Sequence, residues 1–425
     1  MTQPDGSVSS VEMPSAPLAD APASRRREKL AIKDGGLSGL VWRGLLLKII
    51  TLGIYRFWYK TNLRRWYWSR TRISGDALEY TGTGRELIVG FLIALAIMVP
   101  LYLLAAAASL LAGEQLGSII SAIVAVIFAV LIQYGVYRSR RYRLTRTRWR
   151  GLQFDQSGSA WTYALKSIGW AIASFLTLFL AAPWARVALE RYKIENTSFG
   201  TAKGSFDVKG GQLFPYWLVL WITIIFAMAC LLAGPFVVAG GWSELESVFQ
   251  DAAEGEAVQK FFFMVIGAVV IGALAIFLAW PYYRAAEFRL FTSNTKIGGV
   301  SFESTLGAGQ LYRIYLTFAG CLAAYAAAAS LLGYLVLRGA RFDAMLEQDA
   351  PAHLIVLLAI PIYLGFFLFA GWAREVVFSR GIWLRSAESM SVENLDSVNS
   401  IVAQARSGER ATGEGFADAI DFGGV

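Results

Sequence analysis

Two cysteines and one histidine in 425 residues leave too few thiol and imidazole ligands to assemble a zinc site. Cys230 and Cys321 fall inside long apolar stretches, where a small apolar role fits better than a disulfide. His353 stands alone. Charge is scarce too: only 16% of residues are Asp, Glu, Lys or Arg, well below globular usage. No Walker loop, dinucleotide fingerprint or nucleophile elbow occurs, and no paired carboxylates sit beside an apolar stretch. An enzyme is therefore not expected, and no cofactor is implied.

What is abundant is apolar surface. The apolar fraction is 56% and the mean hydropathy +0.48, an excess that must face lipid. Stretches near the roughly 20 residues that a bilayer requires cover 86–112, 116–137, 213–241, 261–283, 311–337 and 352–372, with weaker ones at 37–58 and 161–184. This predicts an all-α polytopic membrane protein of six to eight membrane helices. No sheet is expected, because an open sheet edge in hydrocarbon leaves backbone groups unpaired, and the alternation of a transmembrane barrel is missing.

One pattern returns four times: an apolar helix, a basic segment, a Thr, a Gly and an aromatic. Arg precedes Thr by six residues in each copy, as Arg65/Thr71, Arg141/Thr147, Arg191/Thr197 and Arg289/Thr295. A cation also stands eleven before Thr in three copies (Lys60, Arg186, Arg284), whereas the second has Val136. Trp372-Ala373-Arg374 matches Trp184-Ala185-Arg186 and opens a degenerate fifth unit, with Ser379 in place of the second Arg. Thr51, Leu52 and Trp58 repeat the spacing of Thr177, Leu178 and Trp184. The organisation read from this is a disordered cytoplasmic leader (1–34), two related halves (35–160 and 161–310), a final helix pair with the end unit (311–385) and an acidic cytoplasmic tail (386–425).

Thr51-Leu52-Gly53-Ile54-Tyr55 with Trp58, the stretch Thr81-Gly82-Thr83-Gly84-Arg85-Glu86-Leu87, Asn294-Thr295 and Gly413-Glu414-Gly415-Phe416-Ala417-Asp418-Ala419 together resemble the YjgN family of bacterial inner-membrane proteins over about 35–425. The resemblance implies a multi-pass inner-membrane location and no particular biochemical activity.

Loop charge orients the spans, since Lys and Arg collect on the cytoplasmic side. Lys60 to Arg72 and Arg138 to Arg150 should be inside; the acidic connection 242–260 should be outside. Basic segments flank the helices at 37–58 and 161–184 at both ends, so both read as interfacial or re-entrant, leaving six spans and cytoplasmic termini. Eight spans is the alternative.

The four repeated arginines are the candidate anion or anionic-lipid contacts, because guanidinium binds phosphate in a planar, bidentate way. The plainer reading makes them orienting charges, with Arg186/Glu190 and Arg284/Glu287 as local helical pairs. Lys48 and Lys166 are ionisable groups in weak helices, functional if deep and merely solvated if interfacial. Pro100 and Pro361 are either breaks around a cavity or ordinary kinks. Ala319, Ala323 and Ala327, and likewise Ala268 and Gly272, suit close helix packing. Trp58, Trp161, Trp184, Trp217, Trp242, Trp280 and Trp372 suit interfacial belts. A basic stripe beside spans meets lipid before nucleic acid, so nucleic acid is not an expected partner. The leading expectation is a transporter-like or channel-like protein. The alternative is a scaffold whose repeated arginines grip anionic membrane lipid while the tail recruits a protein.

Overall fold

The computed structural model describes residues 27–111, 113–239, 255–339 and 352–401. Residues 1–26, most of the acidic connection expected at 242–260, and the tail beyond 401 lie outside the described residues.

Among the described residues, six helices are long and apolar enough to cross a bilayer. They are α3 (Gly84–Leu111), α4 (Glu114–Thr145), α7 (Gly210–Ala239), α8 (Gly255–Ser293), α9 (Ala308–Gly339) and α10 (Ala352–Ala373). The last runs through a π-helical turn, Arg374–Ser379, into α11 (Arg380–Glu388). They lie where the apolar stretches predict them, and Pro100 and Pro361 sit inside α3 and α10 without ending either helix. Gly272 of α8 leaves room for the Ala227 backbone of α7, the close approach expected of small residues. Ala319, Ala323 and Ala327 do not pack in this way; they lie on an exposed face of α9.

The two weak stretches are helical hairpins. α1 (Leu37–Ile50) and α5 (Ala160–Leu176) turn back into α2 (Arg56–Arg70) and α6 (Ala182–Glu195). Fourteen and seventeen residues rise about 21 and 26 Å, short of a hydrocarbon core of about 30 Å. The shared Thr makes each break: Thr51 and Thr177 Oγ1 donate to the carbonyls of Leu47 and Ala173, and accept from the amides of Tyr55 and Ala181. The chain then enters left-handed backbone at Leu52 and Gly53, and at Leu178 and Phe179. The tips expose Ile50, Leu52 and Ile54 on one hairpin and Phe175, Leu176 and Leu178 on the other, a surface suited to lipid. Trp217 and Trp221 of α7 donate to the tip carbonyls of Phe179 and Leu178, at 2.9 and 2.7 Å. Unwound carbonyls at membrane depth need such donors. Trp221 stands eleven residues after Gly210, about 16 Å along the helix axis, so the hairpin reaches well down the span. The hairpin thus folds back along the long helix, and its tip gives Trp217 a bonding task beyond the interfacial one expected.

The sheet is the main departure from expectation. The basic segments form short antiparallel strands: β3 (Thr71–Ile73), β4 (Asp76–Ala77), β5 (Glu79–Tyr80), β6 (Thr147–Trp149), β7 (Leu152–Gln156), β8 (Thr197–Phe199), β9 (Ala202–Phe206), β10 (Thr295–Ile297), β11 (Val300–Ser304) and β12 (Met390–Glu393). β1 (Arg27–Lys29) and β2 (Ala31–Ile32) precede them. β5 to β12 pair in sequence order and β1 closes onto β12, while β2 pairs with β3 and β3 with β4. Only Leu30 separates β1 from β2, and only Leu78 separates β4 from β5; their amides donate to Met390 and Thr71 carbonyls. The two sheets therefore join into one closed ring of ten strands, twelve segments of which two pairs are continuous. Closure removes every sheet edge. The edge penalty that excludes open sheets applies inside hydrocarbon, and the ring lies at the polar ends of the helices.

Register shows how the basic segments build it. Tyr80, Gln156, Phe206 and Ser304 lie opposite Thr147, Thr197, Thr295 and Met390. Thr71, Thr147, Thr197 and Thr295 Oγ1 each donate to the carbonyl four residues back, a local bond that competes with the helix and ends it. Two residues on, Ile73, Trp149, Phe199, Ile297 and Val392 all turn into one core, capped by Leu395, Val398 and Ile401 around the 3₁₀ segment Leu395–Ser400. Arg27–Ile32 and Met390–Glu393, drawn above within the leader and the tail, are strands of the ring, with β1 pairing on β12.

Candidate functional site

Three of the four repeated arginines do the same structural job. Arg65, Arg191 and Arg289 donate to the carbonyls of Gly82, Val208 and Leu306 at 2.9, 2.5 and 3.2 Å, each seventeen residues ahead. Each ties the end of one helix to the turn that starts the next. The fourth, Arg141, is engaged as well, and its Nε is buried without a hydrogen bond. A guanidinium has five N–H donors, so the carbonyl contact does not use up its capacity for an anion.

The cations eleven before Thr lead elsewhere. Arg186 of α6 and Arg284 of α8 converge on Glu287, which is 3% exposed. Arg186 Nε and Nη2 donate to Glu287 Oε1 at 2.9 and 2.7 Å, Arg284 Nη1 donates to Oε2, and the Tyr283 hydroxyl reaches Oε1 at 3.4 Å. The local pair Arg284/Glu287 therefore forms as the helical spacing suggests. Arg186/Glu190 does not: Arg186 crosses to α8, while Glu190 accepts from Arg140 of α4 at 3.2 Å and pairs with Lys193. Burial works against the Glu190 charge, but Lys193 and Arg140 outweigh it and hold the carboxyl below its ordinary range. Burial likewise opposes the Arg186 charge, and Glu287 more than offsets it. Around this point four cations face two carboxylates.

A cavity of about 420 Å³ opens here between α6, α8 and the ring. Its lining combines Arg186, Arg284, Glu190 and Glu287 with Phe288, Phe291, Phe302 and Met390, and includes Thr292 and Thr295. The two guanidiniums are half exposed, with 50% and 46% of their side chains accessible. A lining that joins half-exposed cations to aromatic side chains suits a ligand that is anionic at one end and apolar at the other. Sequence reasoning found Arg186 and Arg284 but not their meeting point, since Arg186 and Glu287 lie 101 residues apart.

Lys48 and Lys166 lie over the rings of Tyr59 and Tyr192, at 4.3 and 4.7 Å. Each bridges the two arms of its own re-entrant hairpin, a cation–π contact at matching places.

A family model for bacterial proteins of unknown function, DUF898, matches residues 33–419. The chain belongs to that family. The match spans β3 to β12, the hairpins and all six long helices, and covers nearly the same stretch as the YjgN resemblance. No curated protein and no solved structure matches this chain.

Proposed function

We propose that this DUF898 protein is a non-enzymatic, multi-pass protein of the bacterial inner membrane that holds an anionic amphiphile of the phospholipid class at the cytoplasmic rim. The observation that carries the reading is the cavity in which Arg186 and Arg284 stand over an aromatic lining beside Glu287. Basic grooves beside spans suit anionic headgroups, and the apolar lining suits part of an acyl chain. The cavity lies between α6, α8 and the ring, at the end of a span. That position supports binding at the membrane edge more than passage through it, and so favours the lipid-binding alternative over the transport reading. We read the five α-hairpins and five β-hairpins as copies of one building block, and the basic ring as the cytoplasmic face by the positive-inside bias.

Binding is tested by thermal shift of the purified protein with phosphatidylglycerol or phosphatidylcholine. Wild type should be stabilised by the anionic lipid alone, the R186Q/R284Q variant should lose that response, and R186K/R284K should recover it in part because ammonium lacks the bidentate geometry. Equal stabilisation by both lipids in wild type would remove the proposal. Replacing Arg65, Arg141, Arg191 and Arg289 by Gln, then by Lys, asks the same of the repeated set. Full rescue by Lys would leave those four as orienting charges.

Topology gives a separate expected result. A cysteine at Ser205, on the ring, should be labelled by an impermeant maleimide only after permeabilisation. One at Leu178, on a hairpin tip, should resist labelling from both sides. Reaction of Leu178→Cys in intact cells would make the hairpin a pair of spans and restore the eight-span alternative.

A further inference from the structure

The last membrane helix differs from its counterparts in spacing. Arg374 stands sixteen residues before Met390, whereas Arg186 stands eleven before Thr197, which holds the same place in the ring. Five added residues are one α-helical turn of 3.6 plus a surplus, and the π-helical turn Arg374–Ser379 absorbs the surplus. Such turns recur at functional positions because they re-aim side chains and loosen the backbone ladder. Here the turn carries Glu375, within the span Ile360–Glu388.

Glu375 faces the first re-entrant hairpin. Its Oε2 is buried and has no hydrogen-bond partner in the protein, and the same holds for the hydroxyls of Tyr59 and Tyr67. Those tyrosines are 4% and 0% exposed, so their polar atoms cannot be served by bulk water. Burial, then the negative charge of Glu375, pushes both hydroxyls far above the ordinary phenol range. Both therefore keep their protons, and Glu375 is close enough for its charge to act on each. Buried polar atoms left over in this way point to a small exchangeable species. Arg374 on its own helix, Lys48 of α1 and Lys60 of α2 are the cations that face Glu375. The Ser379 hydroxyl, one turn on, hydrogen-bonds the Glu375 side chain and leaves Oε2 as its unpartnered oxygen, Arg380 acts on Tyr67, and α9 brings the Tyr315 ring against Phe378 at 4.9 Å. Ionisable groups at membrane depth are costly and mark proton and ion sites.

We propose that Glu375 is a proton-binding site, taking up and releasing a proton between the π-helical turn and the hydroxyls of Tyr59 and Tyr67. The site is separate from the Arg186–Glu287 cavity and does not rest on the lipid-binding reading.

Infrared difference spectroscopy of the purified full chain, stepped between about pH 5.5 and about pH 9, tests it. Wild type should show a protonated-carboxyl C=O band that is missing from E375Q. Identical difference spectra from wild type and E375Q would overturn the proposal. Wild type alone gives a second reading through dicyclohexylcarbodiimide, an apolar reagent for protonated carboxyls, with the modified residue identified by mass spectrometry. Modification of Glu375 should fall about tenfold per pH unit above the midpoint. Modification that stays constant across the range would equally overturn it.

Discussion

Replacing Glu287 by Gln should destabilise the protein by about 2 kcal/mol. Removing one member of a buried ion pair costs roughly 3–5 kcal/mol, but here the two arginines left behind are half exposed and water screens part of their repulsion. The expected effect on thermal unfolding in mild detergent is a midpoint lower by roughly 2–4 °C, the entropy of unfolding being large for a chain of this length. R186Q should cost less, because Arg284 still neutralises Glu287. Combining E287Q with R284Q should recover part of the loss, since only one cation then lacks its counter-charge. Equal losses for E287Q and R186Q would show that Glu287 is not the shared anchor of the cavity.

A larger effect is expected in the ring. Phe199 is 3% exposed and packs on Trp149 and Phe154, with ring centroids at 5.8 and 4.6 Å. Phe199→Ala removes its transfer free energy and leaves a cavity in a core closed on all sides, a loss of roughly 3–5 kcal/mol. The control is Phe175→Ala at a hairpin tip, where the side chain is 70% exposed and the change should stay within about 0.5 kcal/mol. Thermal unfolding of both variants in one detergent makes the comparison. If Phe199→Ala behaves like Phe175→Ala, the strands do not enclose a common core.

Much of the ring was present in the sequence without being readable as a sheet. Thr71-Arg72-Ile73, Thr147-Arg148-Trp149, Thr197-Ser198-Phe199 and Thr295-Lys296-Ile297 alternate inward and outward residues, as a strand requires. Three residues are too few for that period to register against a basic loop. The ring owes its stability to pairing between segments from distant parts of the chain, and the pairing partners of such segments are not a local property. The pair β1–β12 is the extreme case, joining Arg27–Lys29 to Ser391–Glu393. The candidate cavity shares the difficulty. Arg186 and Arg284 were visible at a repeated spacing, yet their helical neighbours at 190 and 287 gave no sign that Arg186 crosses to Glu287.

By itself the sequence determined where the chain meets lipid. Six apolar stretches set the six long helices, and weaker hydropathy with cations at both ends set 37–58 and 161–184 apart from them, because hydrocarbon imposes length and charge limits that act residue by residue. Tertiary structure alone decided that the basic segments close into a ring, that the re-entrant tips are held by Trp217 and Trp221, and that Glu287 and Glu375 come to face their partners. Those outcomes depend on hydrogen bonds and charge pairs between residues tens to hundreds of positions apart. Their free energy exists only once packing has brought the partners together.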